Sequence, residues 1–121
     1  MPPRDWKLRI RDILRAISAV RGYTAGIKYD AFVADRKTVD AVIRNLIIIR
    51  EAASHVPDEV VSAHTEIPWR DMRDMRTFVV HEYFGVSDRI LWDTVQNNLP
   101  PLIPLLEQLL QAQKKHPCAH L

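Results

Sequence analysis

The sequence predicts an all-α protein, folded as an antiparallel up-and-down bundle of four to five helices. Apolar residues recur at steps of three and four in every long segment, which is the spacing of a helix with one buried face. No alternation of apolar and polar residues extends beyond a few positions, and no turn dipeptide of the hairpin type occurs. Prolines and glycines fall between the helical segments, and the links are short enough for consecutive helices to pack antiparallel.

Two amphipathic helices are predicted in the first half of the chain. The first begins at Asp5 and ends near Gly22. Its apolar face consists of Trp6, Ile10, Ile13, Leu14, Ile17 and Val20. The second begins after a cap at Asp30 or Asp35 and ends before Pro57, because a residue that precedes proline disfavours the helical conformation. Apolar residues cover much of its circumference, so we expect this helix to be central.

The third and fourth helices are bounded by proline, glycine and a capping residue. Pro68 suits a first helical turn and begins the third helix, which is predicted to end at Gly85. Ser87 or Asp88 caps the fourth helix, and the prolines at 100 and 101 interrupt it before a leucine-rich segment. The predicted bundle spans residues 1–113, and the tail at 114–121 has no periodicity and is predicted to be disordered.

Composition restricts the class of protein. The chain has 121 residues and 47% apolar content, which suffices for one domain with a core of its own. A net charge of +2 is too small for a general nucleic-acid coat protein. Cys118 is the single cysteine, so no disulfide framework can form within the chain. No apolar run is long enough to cross a membrane and the first residues do not resemble a signal peptide, so we expect a cytoplasmic protein with no membrane partner.

The third helix carries an arginine within its apolar stripe. On an ideal helix Trp69, Met72, Arg76 and Tyr83 fall within an arc of roughly 100 degrees. A buried guanidinium without partners costs several kcal/mol, so this arginine needs a carboxylate, another acceptor or a solvent-filled cleft. One interpretation is an internal ion pair with Glu51 on the second helix, and the other is a functional anion site.

A second, polar stripe on the same helix contains a histidine. Arg70, Asp74, Thr77 and His81 follow at steps of four, three and four. Histidine suits general acid or base catalysis near neutral pH, and a nearby arginine can stabilise phosphate charge, which together suggest phosphodiester chemistry. The structural alternative is an ordinary histidine that is hydrogen-bonded to Asp74. Arg76 and His81 are about 140 degrees apart on an ideal helix, so a kink, long side chains or a second protomer is needed for joint action.

Sites of other kinds have weaker support. The single cysteine means that the paired cysteines of a structural zinc site are missing, so no metal is predicted. A glycine-rich phosphate loop and the glycine-flanked serine of a hydrolase are both missing from the sequence. We therefore predict no cofactor.

The segment IPWRDMRDMRTFVVHEYFGVSDRILWDTVQNNLPPLI resembles the signature of HepT-type proteins, small α-helical ribonucleases of the HEPN superfamily. Members of that family carry an arginine, then four to six intervening residues, a histidine, and a tyrosine two residues beyond the histidine. The matching positions here are Arg76, His81, Tyr83, Ile67, Pro68, Trp69, Trp92, Leu99 and Pro100. Upstream, IIIREAA resembles the family's Ile-Gly-Glu-Ala stretch, with Glu51 matching and Arg50 in place of glycine. The resemblance extends from about Asp12 to Leu110.

The resemblance implies a metal-independent endoribonuclease that is the toxin of a toxin–antitoxin pair. His81 would be the general acid or base, and Arg76 would hold the phosphate of an RNA substrate. Supporting roles are assigned to Thr77, Glu51 and Arg73. The family's bundle forms a homodimer in which two Arg/His motifs line one cleft, which would resolve the angular separation of Arg76 and His81. DNA is not expected as a partner.

Regulation is implied by the tyrosine of the motif. In the family a nucleotidyltransferase antitoxin adds AMP to this tyrosine, here Tyr83, and a bulky anion there would repel RNA. The sequence departs from the family at Thr77, where the usual residue is asparagine, and threonine cannot supply an amide. The alternative function is therefore a non-catalytic helical module that partners a nucleotidyltransferase and binds nucleotide or RNA.

Overall fold

The computed structural model describes residues 5–74 and 87–119, with side chains described for 6–74 and 87–111. Within these ranges the regular structure is entirely helical, which confirms the predicted all-α bundle. The helices are α1 (Asp5–Thr24), α2 (Tyr29–Ala34), α3 (Arg36–Ser54), α4 (Asp58–Ala63), α5 (Trp69–Arg73), α6 (Asp88–Asp93) and α7 (Leu102–Ala119). None of the helices in these ranges is both long and apolar enough to cross a membrane.

Helix α3 is central, as its apolar circumference predicted. It packs most extensively against α1 and also contacts α2, α5 and α6. The predicted face of α1 is buried except for Leu14, which is partly buried, and Ile10, Ile13 and Ile17 are fully inaccessible to solvent. Leu46 and Ile49 of α3 are likewise fully buried. Burying side chains of this size stabilises the fold by about 1.5–3 kcal/mol each before the conformational entropy cost is counted.

The start of α3 is decided by Asp35. Its carboxylate accepts a hydrogen bond from the Thr38 amide at 3.3 Å and another from the Thr38 hydroxyl at 2.7 Å. Of the two caps that the sequence offered, Asp35 is thus the one that begins α3. Asp30 lies in the first turn of the separate helix α2.

Replacing Asp35 with alanine is expected to lower the thermal stability at neutral pH and to have a smaller effect in acid. The hydrogen bonds from Thr38 hold the pKa of Asp35 below its usual value. A carboxylate whose pKa is lowered by folding contributes stability above its unfolded pKa, and this contribution is lost as the pH falls through the folded pKa. The difference in Tm from wild type should therefore be full above about pH 4 and shrink below it. Thermal melts at several pH values measure this difference in Tm, with Asp40→Ala as the control. A difference between wild type and Asp35→Ala that stayed constant with pH would refute the prediction.

The links around α4 and α5 follow the proline positions closely. Helix α3 ends at Ser54, before Pro57, and the short helix α4 begins directly after that proline. Pro68 is the residue preceding α5, with ψ 70°, so it caps the helix from outside rather than occupying the first helical position that we predicted. The predicted continuation of this helix to Gly85 lies outside the described residues.

The predicted break at the two prolines is present. Helix α6 widens into a π-helical turn over Thr94–Asn98 before the chain turns. Helix α7 then begins at Leu102, whose amide donates to the Leu99 carbonyl at 3.0 Å, and Pro104 falls in its first turn, where proline is tolerated. Helix α7 continues to Ala119, past the predicted end of the bundle at residue 113. The division between bundle and disordered tail stays a prediction, because a helical backbone alone does not show packing against the bundle.

Candidate active site

The two stripes predicted for the third helix are visible at its beginning, in α5. Trp69 and Met72 are buried, with 5% and 0% exposure, and face the core. Arg70 and Asp74 are exposed, as expected for the polar stripe. The burial of Trp69 and Met72 therefore sets the orientation of α5, the helix that precedes the Arg/His motif.

The start of α5 is held by the indole of Trp69. Its Nε1 donates a hydrogen bond to the His64 carbonyl at 3.0 Å, so the one polar atom of this buried ring is satisfied. Ile67, two residues earlier, is 2% exposed and belongs to the same core. These contacts fix both the position of α5 and its rotation about its own axis.

Arg73 ties α5 to the C-terminal end of α3. Its Nε donates to the Ala53 carbonyl at 3.1 Å, and one terminal nitrogen donates to the Val56 carbonyl, also at 3.1 Å. The Ala53 carbonyl lies in the last turn of α3, at the negative end of the helix dipole, where a guanidinium is favourable, and the Val56 carbonyl lies in the connection that follows. Arg73 thus holds α5 against the end of α3 through backbone contacts, and its supporting role in the site stays a prediction.

Replacing Arg73 with methionine is expected to destabilise the protein by about 1–3 kcal/mol, because two partly buried carbonyls lose a charged donor while the apolar stem is kept. Arg73→Lys should recover part of the loss, since an ammonium can reach one carbonyl but lacks the planar fork. Urea denaturation measures the free energies of unfolding, with Arg70→Met on the exposed side of α5 as the control. Equal stabilities for the Arg73 and Arg70 variants would contradict the assigned contact.

The chain that follows the motif is held at the other end of α3. Ser87 caps α6 by accepting a hydrogen bond from the Ile90 amide at 3.2 Å. Asp88 is paired with Arg36, the first residue of α3, at 3.2 Å. Trp92 packs against the ring of Phe32 in α2, with a centroid separation of 5.2 Å. These contacts dock α6 on α2 and on the beginning of α3.

The segments on either side of the motif are thus anchored at opposite ends of α3. Arg73 binds at the C-terminal end and Asp88 at the N-terminal end. At a rise of 1.5 Å per residue, Arg36 and Ala53 are about 26 Å apart along the helix axis. The chain between α5 and α6 therefore connects two contact points on α3 that are about 26 Å apart.

Four predicted site residues, Arg76, Thr77, His81 and Tyr83, lie outside the described residues. Glu51 is described, and it is exposed: its carboxylate is 3.2 Å from a terminal nitrogen of Arg50. Its side chain is 55% accessible, so the Glu51 of the proposed internal ion pair is a surface group rather than a buried one. The pairing of Glu51 with Arg76 stays a prediction.

Arg50 is a residue to which the sequence analysis assigned no role. Its side chain is 28% exposed, and its Nε is buried without a hydrogen-bond partner among the described residues. The sequence feature that could have indicated Arg50 is its charge within the apolar run IIIREAA, at a position where the family stretch has glycine. No group of three potential metal ligands occurs in the part of the chain that the structure describes.

The protein is thus a small all-α bundle in which α5 and α6, each bound to one end of α3, flank a segment that contains arginine, histidine and tyrosine. Residues 13–109 match the family model described as ribonuclease HepT-like. The chain belongs to this family, so its recognition from the motif is confirmed, and with it the prediction of an RNA-cleaving enzyme. The matched range nearly coincides with that of the resemblance found in the sequence.

Relatives of similar length support the same assignment. A protein of Thermococcus cleftensis with the name Probable ribonuclease HepT is 42% identical over 106 residues, covering 88% of this chain and 96% of the relative. A protein of Methanocaldococcus jannaschii, named as a candidate RNase, is 33% identical over 111 residues and 92% of each chain. Another candidate RNase, from Caldanaerobacter subterraneus, is 38% identical over 89 residues, which are 74% of this chain and 80% of the relative. No solved structure matches.

Proposed function

We propose that the protein is a metal-independent endoribonuclease toxin whose catalytic residues are Arg76 and His81. The observation that carries the proposal is the family match over residues 13–109, which includes the whole Arg/His/Tyr motif. The anchored helices α5 and α6 add support, because they hold the ends of the motif segment on the rigid helix α3. Catalytic groups supported by rigid elements keep their geometry better than groups on free loops.

In this mechanism the 2′-hydroxyl of RNA attacks the adjacent phosphorus, and the bond to the 5′-oxygen breaks. The products are a 2′,3′-cyclic phosphate and a free 5′-hydroxyl. His81 removes the proton from the attacking hydroxyl or donates one to the leaving oxygen. Arg76 binds the phosphate and stabilises the negative charge that increases in the transition state. No metal ion or cofactor takes part.

A homodimer is proposed because one copy of the motif separates its two catalytic residues. On an ideal helix Arg76 and His81 are about 140 degrees apart, so Arg76 of one copy is proposed to act with the partner's His81.

Tyr83 is proposed as the point of regulation. A nucleotidyltransferase antitoxin would join AMP to its phenolic oxygen, with ATP as the donor and pyrophosphate as the leaving group. Tyr83 follows Arg76 by seven residues and so lies on the same helical face. The added phosphodiester would place a negative charge beside the arginine that binds RNA. Thr77 and Glu51 keep supporting roles, and the proposed compartment is the cytoplasm.

The test is cleavage of total RNA by the purified protein in the presence of EDTA. Cleavage with 2′,3′-cyclic phosphate ends is the expected result. RNA binding without any cleavage would instead favour the alternative, a non-catalytic module that partners a nucleotidyltransferase. Thr77 is the observation that supports this alternative, because an amide normally stands at that position in the family.

A further inference from the structure

Two arginines near the C-terminal end of α3 differ in the hydrogen bonds that their guanidinium groups make. Arg73 donates from Nε and from a terminal nitrogen to two backbone carbonyls, so its guanidinium is used in holding α5. Arg50 has a buried Nε with no partner among the described residues, and a terminal nitrogen bonded only to the neighbouring Glu51. The Ala53 carbonyl in the last turn of α3 and the Val56 carbonyl beyond the helix are thus bonded by Arg73 and not by Arg50.

The position of Arg50 is costly for a purely structural side chain. A buried donor without a hydrogen-bond partner destabilises the folded protein. Its partner Glu51 is 55% exposed and adjacent in sequence, and exposed pairs of this kind contribute little to stability. Because Nε is buried, only the terminal nitrogens of Arg50 can reach an external anion, and their partner among the described residues is the exposed Glu51, which an anion can replace.

Arg50 lies on the side of α3 that faces the two anchors of the motif segment. Arg36, which binds Asp88, is 14 residues earlier and within about 40 degrees of Arg50 on the helix surface. Ala53, which binds Arg73, is one turn later and within about 60 degrees. Helix α1 contacts the other flank, where Asn45 lines a groove with residues of α1, about 140 degrees from Arg50.

We propose that Arg50 is an additional RNA-binding residue that contacts a phosphate of the substrate from α3. The inference rests on the proposed ribonuclease function and extends it to the helix behind the motif. Glu51 holds the guanidinium in place in the absence of RNA, and the phosphate takes over as its acceptor. A phosphate accepts two parallel hydrogen bonds from a guanidinium fork, which an ammonium cannot reproduce.

The proposal is tested by binding of a fluorescent, 2′-O-methylated RNA oligonucleotide, which lacks the attacking hydroxyl and cannot be cleaved. Arg50→Gln keeps much of the side-chain stem but removes the charge, and is expected to weaken binding roughly tenfold and to lower the slope of log K against log salt by about one. Arg50→Lys should keep the slope and recover only part of the affinity. Arg44→Gln is the matched control, because this exposed arginine lies on the same helix. Thermal melts show that each variant is folded.

Equal RNA affinities for the Arg50 and Arg44 variants would overturn the proposal, even if the wild type cleaves RNA as expected. Binding that depends on Arg50 in a protein that does not cleave would preserve this inference and overturn the ribonuclease proposal. An absence of RNA binding by the folded wild type would overturn both. If Arg50→Gln fails to fold, the affinity of Arg50→Lys, which keeps the charge but not the guanidinium fork, still decides the outcome.

Discussion

His81→Ala is expected to reduce RNA cleavage by about 10²–10⁴-fold, because proton transfer by a positioned side chain contributes that much to the rate. Arg76→Ala should reduce it by about 10²–10³-fold, since it removes charge stabilisation of the transition state. Initial rates on a labelled RNA oligonucleotide in EDTA measure both effects. His55→Ala and Arg15→Ala are matched controls, because both residues are exposed and lie outside the motif. Undiminished cleavage by His81→Ala or Arg76→Ala would refute the catalytic assignment.

Mixing the two variants tests whether the site belongs to two copies of the chain. A heterodimer of Arg76→Ala and His81→Ala has one composite site with both residues intact if arginine and histidine come from different protomers. Purified through two different tags, this heterodimer should recover about half of the wild-type activity, one of two sites being complete. If each site were contained in one protomer, both sites would lack a catalytic group and no activity would return.

AMP addition to Tyr83 is expected to lower RNA cleavage by roughly 10²-fold or more, because a like charge facing the phosphate costs several kcal/mol. The wild type, incubated with ATP and the cognate nucleotidyltransferase, should gain the mass of one or more AMP groups and lose activity in parallel. Intact-mass spectrometry and the cleavage assay on the same sample measure the two together. Tyr83→Phe should gain no mass and keep its activity in the presence of the transferase.

The control for this modification is Tyr23→Phe. Tyr23 lies on α1 with 47% of its surface exposed, so it is an accessible phenol that the transferase is expected to ignore. Tyr23→Phe should accept AMP as the wild type does. Mass gain by Tyr83→Phe equal to that of the wild type would remove Tyr83 from the regulatory scheme. Mass gain without loss of activity would leave the modification but contradict its inhibitory role.

Helix positions could be predicted because the interactions that decide them are local. The apolar period of α1 and α3 and the stop before Pro57 depend on residues within a few positions of one another. The sequence left the cap of α3 open between Asp30 and Asp35, and the structure decides for Asp35. The motif was likewise recognisable in the sequence, because arginine, histidine and tyrosine lie within eight residues, 76–83. Boundaries were less accurate: α1 ends two residues beyond Gly22, and Pro68 precedes its helix instead of opening it.

The roles of the charged residues around the motif were decided by tertiary structure. Arg73 binds carbonyls 17 and 20 residues earlier in the chain, and Arg36 binds a carboxylate 52 residues later. Periodicity assigns a residue to a face of its own helix, but it contains no information about which groups of another helix lie opposite. Glu51 and Arg50 illustrate the difference, since the sequence offered Glu51 as a buried acceptor and the fold leaves it exposed beside Arg50. The sequence by itself determined the helices and the motif, and the packing of α5 and α6 on α3 decided which charges are used to hold the fold.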